Sequence, residues 1–318
     1  MLKYRVYLEN YWETQFDEFN YVDYSQHFTE DKPCNIYMVG IRPRVMIDPR
    51  SFEVINSTAI MLTFIIQYDL KEYDEKRIEV KLPREISGTA NLVSNKPYSR
   101  FQITDNKGDI FEDIELLGDS GIHAKAFYVL RNNLSDEDEI AEINDLEVVY
   151  IGQSLKMDKT LSAMKRLGHH QKAQKVLERC NREFIYNEVY ILLCSFIQKV
   201  DLITDSEELT KVDGQDKLFK AIEESKSLED ETKFRTDIAE ASLIDYFDTK
   251  DFNSDFIGSF GRKTHKYYKK LILSSISEVT LEVDLTKLCY MYSQTINRKN
   301  YHSVSYAPHS NFQKTILK

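Results

Sequence analysis

The chain has 318 residues, long enough for two domains, and its 42% hydrophobic and 30% charged residues suit a protein with a buried core. The longest mainly apolar run, Ala59 to Ile66, is far shorter than the ~20 residues that cross a bilayer, and the polar, acidic N-terminal stretch is unlike a secretory signal. Four cysteines, Cys34, Cys180, Cys194 and Cys289, lie far apart with no CxxC pair. That argues against a zinc finger or a disulfide scaffold, and for a reducing, cytoplasmic setting without a membrane partner.

A formal net charge of −10 speaks against a nucleic-acid partner, but the charge is unevenly spread. Residues 151–183 hold eight Lys/Arg against three Asp/Glu, and residues 254–318 hold ten against four. Acid collects in residues 9–31 and in residues 201–251, the latter with sixteen carboxylates against seven bases. A basic face on an acidic protein binds phosphate locally. Solvated helix faces are the plain alternative.

In chain order, the first 118 residues form β-type runs by period-two alternation: Tyr4 to Leu8, Asn35 to Met38, Ser57 to Tyr68 and Arg77 to Leu82. A turn signal, DNKG, follows at Asp105 to Gly108. A further unit starts near Gly121 with two more β runs, Ala126 to Leu130 and Val148 to Gly152. From Asp158 to Cys180 the apolar positions Leu161, Met164, Leu167, Val176 and Leu177 take helical spacing. Asn187 to Phe196 is a nearly continuous apolar run, hence a buried strand. Residues 201–233 are a charged insertion, helical in part and exposed; a compact helix spans Asp237 to Phe247, and Ile276 to Val283 heads a group of late strands.

Several of these segments, taken together, resemble the GIY-YIG nucleases. Tyr128, in the run from Ala126, and Tyr150-Ile151-Gly152, in the run from Val148, are similar to that family's paired tyrosine strands. Arg166-Leu167-Gly168-His169-His170 is similar to its RLxxH helix, and Glu240 with Leu243-Ile244, followed by Asn253, to its glutamate helix and closing asparagine. The likeness covers roughly residues 121–260. Joined to the β-type runs of residues 1–118, a β-rich domain of unassigned role, it implies an α+β protein with a small mixed sheet flanked by helices over residues 119–318. The C-terminal domain would carry the acidic insertion at 201–233 and a C-terminal β extension.

The resemblance further implies a divalent-metal-dependent phosphodiester endonuclease, acting on DNA more readily than RNA, in a restriction or phage-defence setting. Tyr128, Tyr150, Arg166, His170 and Glu240 would be catalytic, and Gly152, His169 and Asn253 supporting. Glu240, a hard oxygen donor, would hold Mg2+ or Mn2+. Arg166 offers a planar fork to phosphate. Lys165, Lys172, Lys175, Arg262 and Lys263 would touch the nucleic acid. Plainer readings stand beside these. Each tyrosine could be packing, Arg166 and His170 a solvated face, and Asp237-Ile-Ala-Glu240 a capping box in which Glu240 reaches back to the N-cap amide. Against the box, Leu243, Ile244 and Phe247 would put Glu240 on an apolar stripe, where an unpaired charge is costly. A fold that binds nucleic acid without cutting it, a regulator working through the acidic surface, and a homodimer or partner complex through the N-terminal domain remain open.

Overall fold

The computed structural model describes residues 2–15, 26–82, 85, 89–104, 124–153, 171–203, 212–229, 231–256, 258–263, 267–286, 288–310 and 312–317. The fold is α+β, built on one large mixed sheet. Its strands in chain order are β1 (Leu2–Thr14), β2 (Ile36–Asn56), β3 (Ala59–Gln67) and β4 (Tyr73–Lys81). A small separate sheet follows, made of β5 (Asn91–Ser94), β6 (Arg100–Thr104) and β7 (Ala124–Lys125). The large sheet resumes with β8 (Leu146–Gln153), β9 (Asn187–Leu202), β10 (Ile276–Asp284), β11 (Met291–Tyr292), β12 (Tyr301–Ala307) and β13 (Gln313–Leu317). The helices are α1 (Ala126–Asn133), α2 (Glu137–Asn144), α3 (Gln171–Glu183), α4 (Val212–Glu229), α5 (Thr232–Phe247) and α6 (Tyr268–Leu273), with a 3-10 turn at Thr249–Asp251.

The strand order is β11-β8-β2-β9-β1-β10-β12-β13, and the distal half of β2 carries β3 and β4. Pairing is parallel at β1–β10 and β8–β11 and antiparallel elsewhere in this sheet. The expected boundary at residue 118 is therefore not a boundary of the sheet. β1 and β2, from the first hundred residues, lie between β8, β9 and β10, from the last two hundred. Local patterns locate strands such as β1, β3, β9 and β10 but carry no information about which distant strand each one pairs with.

Burial follows from these positions. In β1, Leu2, Tyr4 and Val6 point into the core and their neighbours do not, the alternation expected of a strand covered on one face. The apolar run Tyr190 to Phe196 of β9 is buried on both faces. One face packs on Ala173, Val176, Leu177 and Cys180 of α3. The other joins the larger core with Ile238, Leu243 and Phe247 of α5 and Phe127 and Leu130 of α1. All four cysteines are buried, and none is in a disulfide. Among the described residues no helix is long and apolar enough to cross a membrane.

Ala126 to Leu130, expected as a strand, is the first part of helix α1. Ala126, Phe127, Val129 and Leu130 are buried, the i, i+1, i+3, i+4 pattern of a helix, which a five-residue apolar run cannot distinguish from a strand. Phe127 is fixed from the sheet side: the Arg42 guanidinium lies between the rings of Phe127 and Tyr190, 4.5 and 4.2 Å from their centroids. Arg42 is wholly buried and paired through both terminal nitrogens with the Glu13 carboxylate of β1.

Candidate active site

A cleft of about 500 Å³ opens beyond the outer edge of β8, between α3 and α5. Tyr150 reaches it from the sheet, Lys172, Lys175 and Val176 from α3, Glu240 and Ile244 from α5, and residues 252–256 from the loop after the 3-10 turn. β8 meets β11 only at Leu146 and Glu147, so further along its outer backbone groups need another partner. Asn253 supplies it. Its Oδ1 accepts from the Ile151 N–H at 3.1 Å and its Nδ2 donates to the Ile151 carbonyl at 2.6 Å, while the Thr249 hydroxyl donates to the same Oδ1. One side-chain amide thus completes the strand edge and holds the loop carrying residues 252–256 against Tyr150. Arg179 ties that loop to α3, donating to the Asp251 carbonyl at 2.7 Å with its guanidinium 3.9 Å from the Phe252 ring centroid.

The tyrosine that faces Tyr150 is Tyr37. β2 and β8 run antiparallel with Val39 opposite Tyr150 and Tyr37 opposite Gly152, so the two tyrosines are diagonal neighbours, ring centroids 5.8 Å apart. The Tyr37 ring lies over Gly152, where an added Cβ would come within 2.5 Å of Cζ and 2.6 Å of the hydroxyl oxygen. Glycine is required here by close approach, not by backbone conformation. The Tyr37 hydroxyl is fully buried, with the Tyr150 side chain as its polar neighbour. Burial, then the neighbouring Tyr150 and Glu240, raises its pKa. Burial likewise raises that of Tyr150, an effect opposed by Tyr37 and by the charge of Lys172.

Glu240 sits in the interior of α5, a helix with twelve of its sixteen residues buried. Asp237 is within the helix, which begins at Thr232, so the capping-box reading fails: there is no free helix N-terminus for Glu240 to reach. Instead the Gln153 side-chain amide, at the end of β8, donates to both Glu240 Oε2 and Asp237 Oδ1, each at 2.8 Å. The Glu240 pKa is raised to about 7, first by burial and then by the Asp237 carboxylate, against the hydrogen bonds from Gln153 and the charge of Lys172. Lys172, exposed on α3, pairs with Asp255, a bond that raises the Lys172 pKa.

The expected residues divide as follows. Tyr150, Glu240, Asn253, Lys172 and Lys175 meet at the cleft, and Gly152 packs behind it. Tyr128 does not. On α1, half-buried, it packs against Phe127 at 5.2 Å and beneath the cations of Lys125 and Arg131. Arg262 and Lys263 are exposed on the loop after Gly258 and line no part of the cleft. Lys165, Arg166, His169 and His170 lie outside the described residues. Sequence reasoning missed Tyr37, Gln153, Asp237 and Asp255. The one available signal was Ile36-Tyr37, in a β run that the sequence pattern places in a separate domain. Among the described residues no group of three or more His, Cys, Asp or Glu side chains gathers as a metal cluster. No family model, curated protein or solved structure matches the chain.

Proposed function

We propose that this chain is an endonuclease that hydrolyses phosphodiester bonds, DNA more readily than RNA, with one divalent cation. The observation that carries the reading is the meeting in one cleft of a half-buried carboxylate, Glu240, with Tyr150 and Lys172, and with Tyr37 behind them, from four distant parts of the chain. That Tyr37 and Tyr150 lie on adjacent antiparallel strands, with glycine beneath one ring, supports a GIY-YIG-type arrangement with Tyr37 in the place expected for Tyr128.

Hydrolysis needs a proton acceptor for the attacking water, and positive charge on the oxygens where negative charge develops. Tyr150 lies at the sheet side of the cleft, with the buried Tyr37 ring packed behind it. Lys172 and Lys175 place cationic groups opposite, where they would hold the phosphate and favour its more charged transition state. The donor chemistry fits a hard cation: oxygen ligands, few of them from protein, with water and phosphate supplying the rest. Glu240 would hold that cation, which when bound polarises a phosphoryl oxygen and acidifies a bound water.

The test is nicking of supercoiled plasmid with Mg2+ or Mn2+, with RNA and single-stranded DNA assayed beside it. Cation-dependent cutting by the wild-type chain that Glu240→Gln abolishes is the expected result. Binding of nucleic acid without cutting by the wild-type chain, across all three substrates and both metals, would overturn the reading in favour of a binding protein.

A further inference from the structure

We propose that the cleft receives one unpaired nucleotide of a nucleic-acid strand, its base laid against Phe252 and Phe256 and its phosphate held by Lys172 and Lys175. The inference rests on the nuclease reading above and deepens it, by naming the part of the substrate that enters.

The lining divides by chemistry. Lys172 and Lys175, both exposed and three residues apart on α3, share one helix face and bring positive charge to the cleft. Val176, Ile244, Phe252, Phe256 and the ring of Tyr150 make the rest of the lining largely apolar and aromatic. A double helix offers such a cleft its phosphates and groove edges, and keeps its base faces stacked inside. It would satisfy the lysines and leave the aromatic part of the lining with nothing to cover. An unpaired nucleotide offers both a charged phosphate and a flat apolar base face, the two chemistries that the lining presents. At about 500 Å³ the cleft is also of the size that encloses small molecules, roughly 300–1,000 Å³. A nucleotide suits that volume and a duplex does not.

The two phenylalanines are held in place before anything binds. Phe252 stacks near-parallel on Phe184, centroids 6.1 Å apart, with the Arg179 guanidinium 3.9 Å from its own centroid. The Phe256 N–H donates to the Asn253 carbonyl at 2.8 Å, in the loop that the Asn253 side chain clamps to Ile151 of β8. Both rings are half-buried, Phe252 against the core beneath α3 and Phe256 against the larger core, and both line the cleft. Packing accounts for the buried part of each ring and not for the part in the cleft. An aromatic platform fixed in advance loses little freedom when a base arrives, and stacking on it is indifferent to sequence. Glu240 lines the same cleft, so a base seated on the phenylalanines brings the adjoining phosphodiester to the carboxylate.

The probe is a short thymidine oligodeoxynucleotide with a single central 2-aminopurine, mixed with the full-length chain in chelator so that nothing is cut. It is used alone and annealed to its full complement, with affinity read by anisotropy and the state of the base by 2-aminopurine emission. The single strand is expected to bind at least tenfold more tightly than the duplex and to change its emission on binding. Phe256→Leu keeps an apolar side chain but loses the ring. It is expected to weaken the single strand about tenfold, a typical loss for one stacked base, at an unchanged melting temperature, with Phe256→Tyr close to wild type. Equal affinity for the two probes, no binding of either, or wild-type affinity in a chain carrying both Phe252→Leu and Phe256→Leu would overturn the inference. Plasmid nicking that needs the cation and Glu240 would then leave the nuclease reading standing. Tight binding of the single strand by a chain that cuts nothing would uphold this inference and lose that reading.

Discussion

Helix α5 carries two carboxylates five positions apart that live in different worlds. Asp245 is buried and saturated: Oδ1 accepts from the Phe260 amide at 3.1 Å, Oδ2 accepts from the Tyr306 hydroxyl at 3.0 Å, and Lys314 Nζ lies 3.1 Å away. Glu240 has a neutral amide for a partner and a second carboxylate, Asp237, beside it, and burial holds its pKa at about 7. A protein that needed only to fold would give both the same treatment, because an under-paired buried carboxylate costs free energy. The contrast separates a carboxylate that joins elements from one kept available for something else. Perturbed carboxylates in clefts are where catalytic groups are found, and structural ones are where removal unfolds.

The sharpest way to break this comparison is to neutralise each in turn. Glu240→Gln is expected to lower plasmid cleavage ~10²-fold or more, a typical loss for one essential stabilising group, with little change in melting temperature. Asp245→Asn is expected to do the reverse. It removes the charge facing Lys314 and places an amide where Phe260 and Tyr306 both donate, at a cost of about 2–3 kcal/mol by thermal or denaturant unfolding. If Glu240→Gln melts as early as Asp245→Asn, Glu240 is structural and the contrast collapses.

An intermediate effect belongs to the structural end of α5. His302, buried, shares a hydrogen with the Tyr246 hydroxyl through Nδ1 at 3.1 Å and meets the Lys299 carbonyl through Nε2. Burial lowers its pKa from 6.5 to about 4, so the folded state keeps it neutral where the unfolded chain would protonate it. The sign follows: its contribution is intact above pH 6.5 and is lost as pH falls from 6.5 towards 4, by roughly 2 kcal/mol at pH 5. Unfolding free energies at pH 7 and pH 5 for wild type and His302→Gln measure it. A pH dependence identical in both would show that His302 titrates normally.

How much of this is legible in the sequence differs between the two kinds of feature. Strands β1, β3, β9 and β10 are visible because period-two alternation or a long apolar run is a local property. Glu240 is visible too, as a charge among Ile238, Ala239, Ala241, Leu243 and Ile244. Asp237 hides behind it because its three-residue offset from Glu240 is shared by a capping box and by any pair one turn apart within a helix. Tyr37 hides for a different reason. It meets Tyr150 from more than a hundred positions away in the chain, and register between distant strands has no local signature. The five residues from Ala126 are simply too few to give a period.

The smallest expected effect lies at the mouth of the cleft and sharpens the comparison from the other side. Lys172 and Asp255 form an ion pair with both side chains mostly in solvent, and such pairs contribute little to folding. Stability is therefore the wrong place to look for their purpose. Burial raises the pKa of Tyr150 and of Glu240, and the Lys172 charge opposes that rise in each. Asp255 occupies it with a carboxylate where a phosphate would bring its own oxygens. Lys172→Ala should leave the melting temperature unchanged, weaken nucleic-acid binding without regard to sequence, and make the slope of log affinity against log salt shallower by about one unit. Asp255→Asn should move binding the other way, a few-fold tighter at low salt, because the lysine no longer has to leave a partner to meet a phosphate. If removing Asp255 changes neither affinity nor salt slope, the pair is an ordinary surface contact. The basic side of the cleft would then lose its claim on phosphate even if Glu240 keeps its claim on the cation.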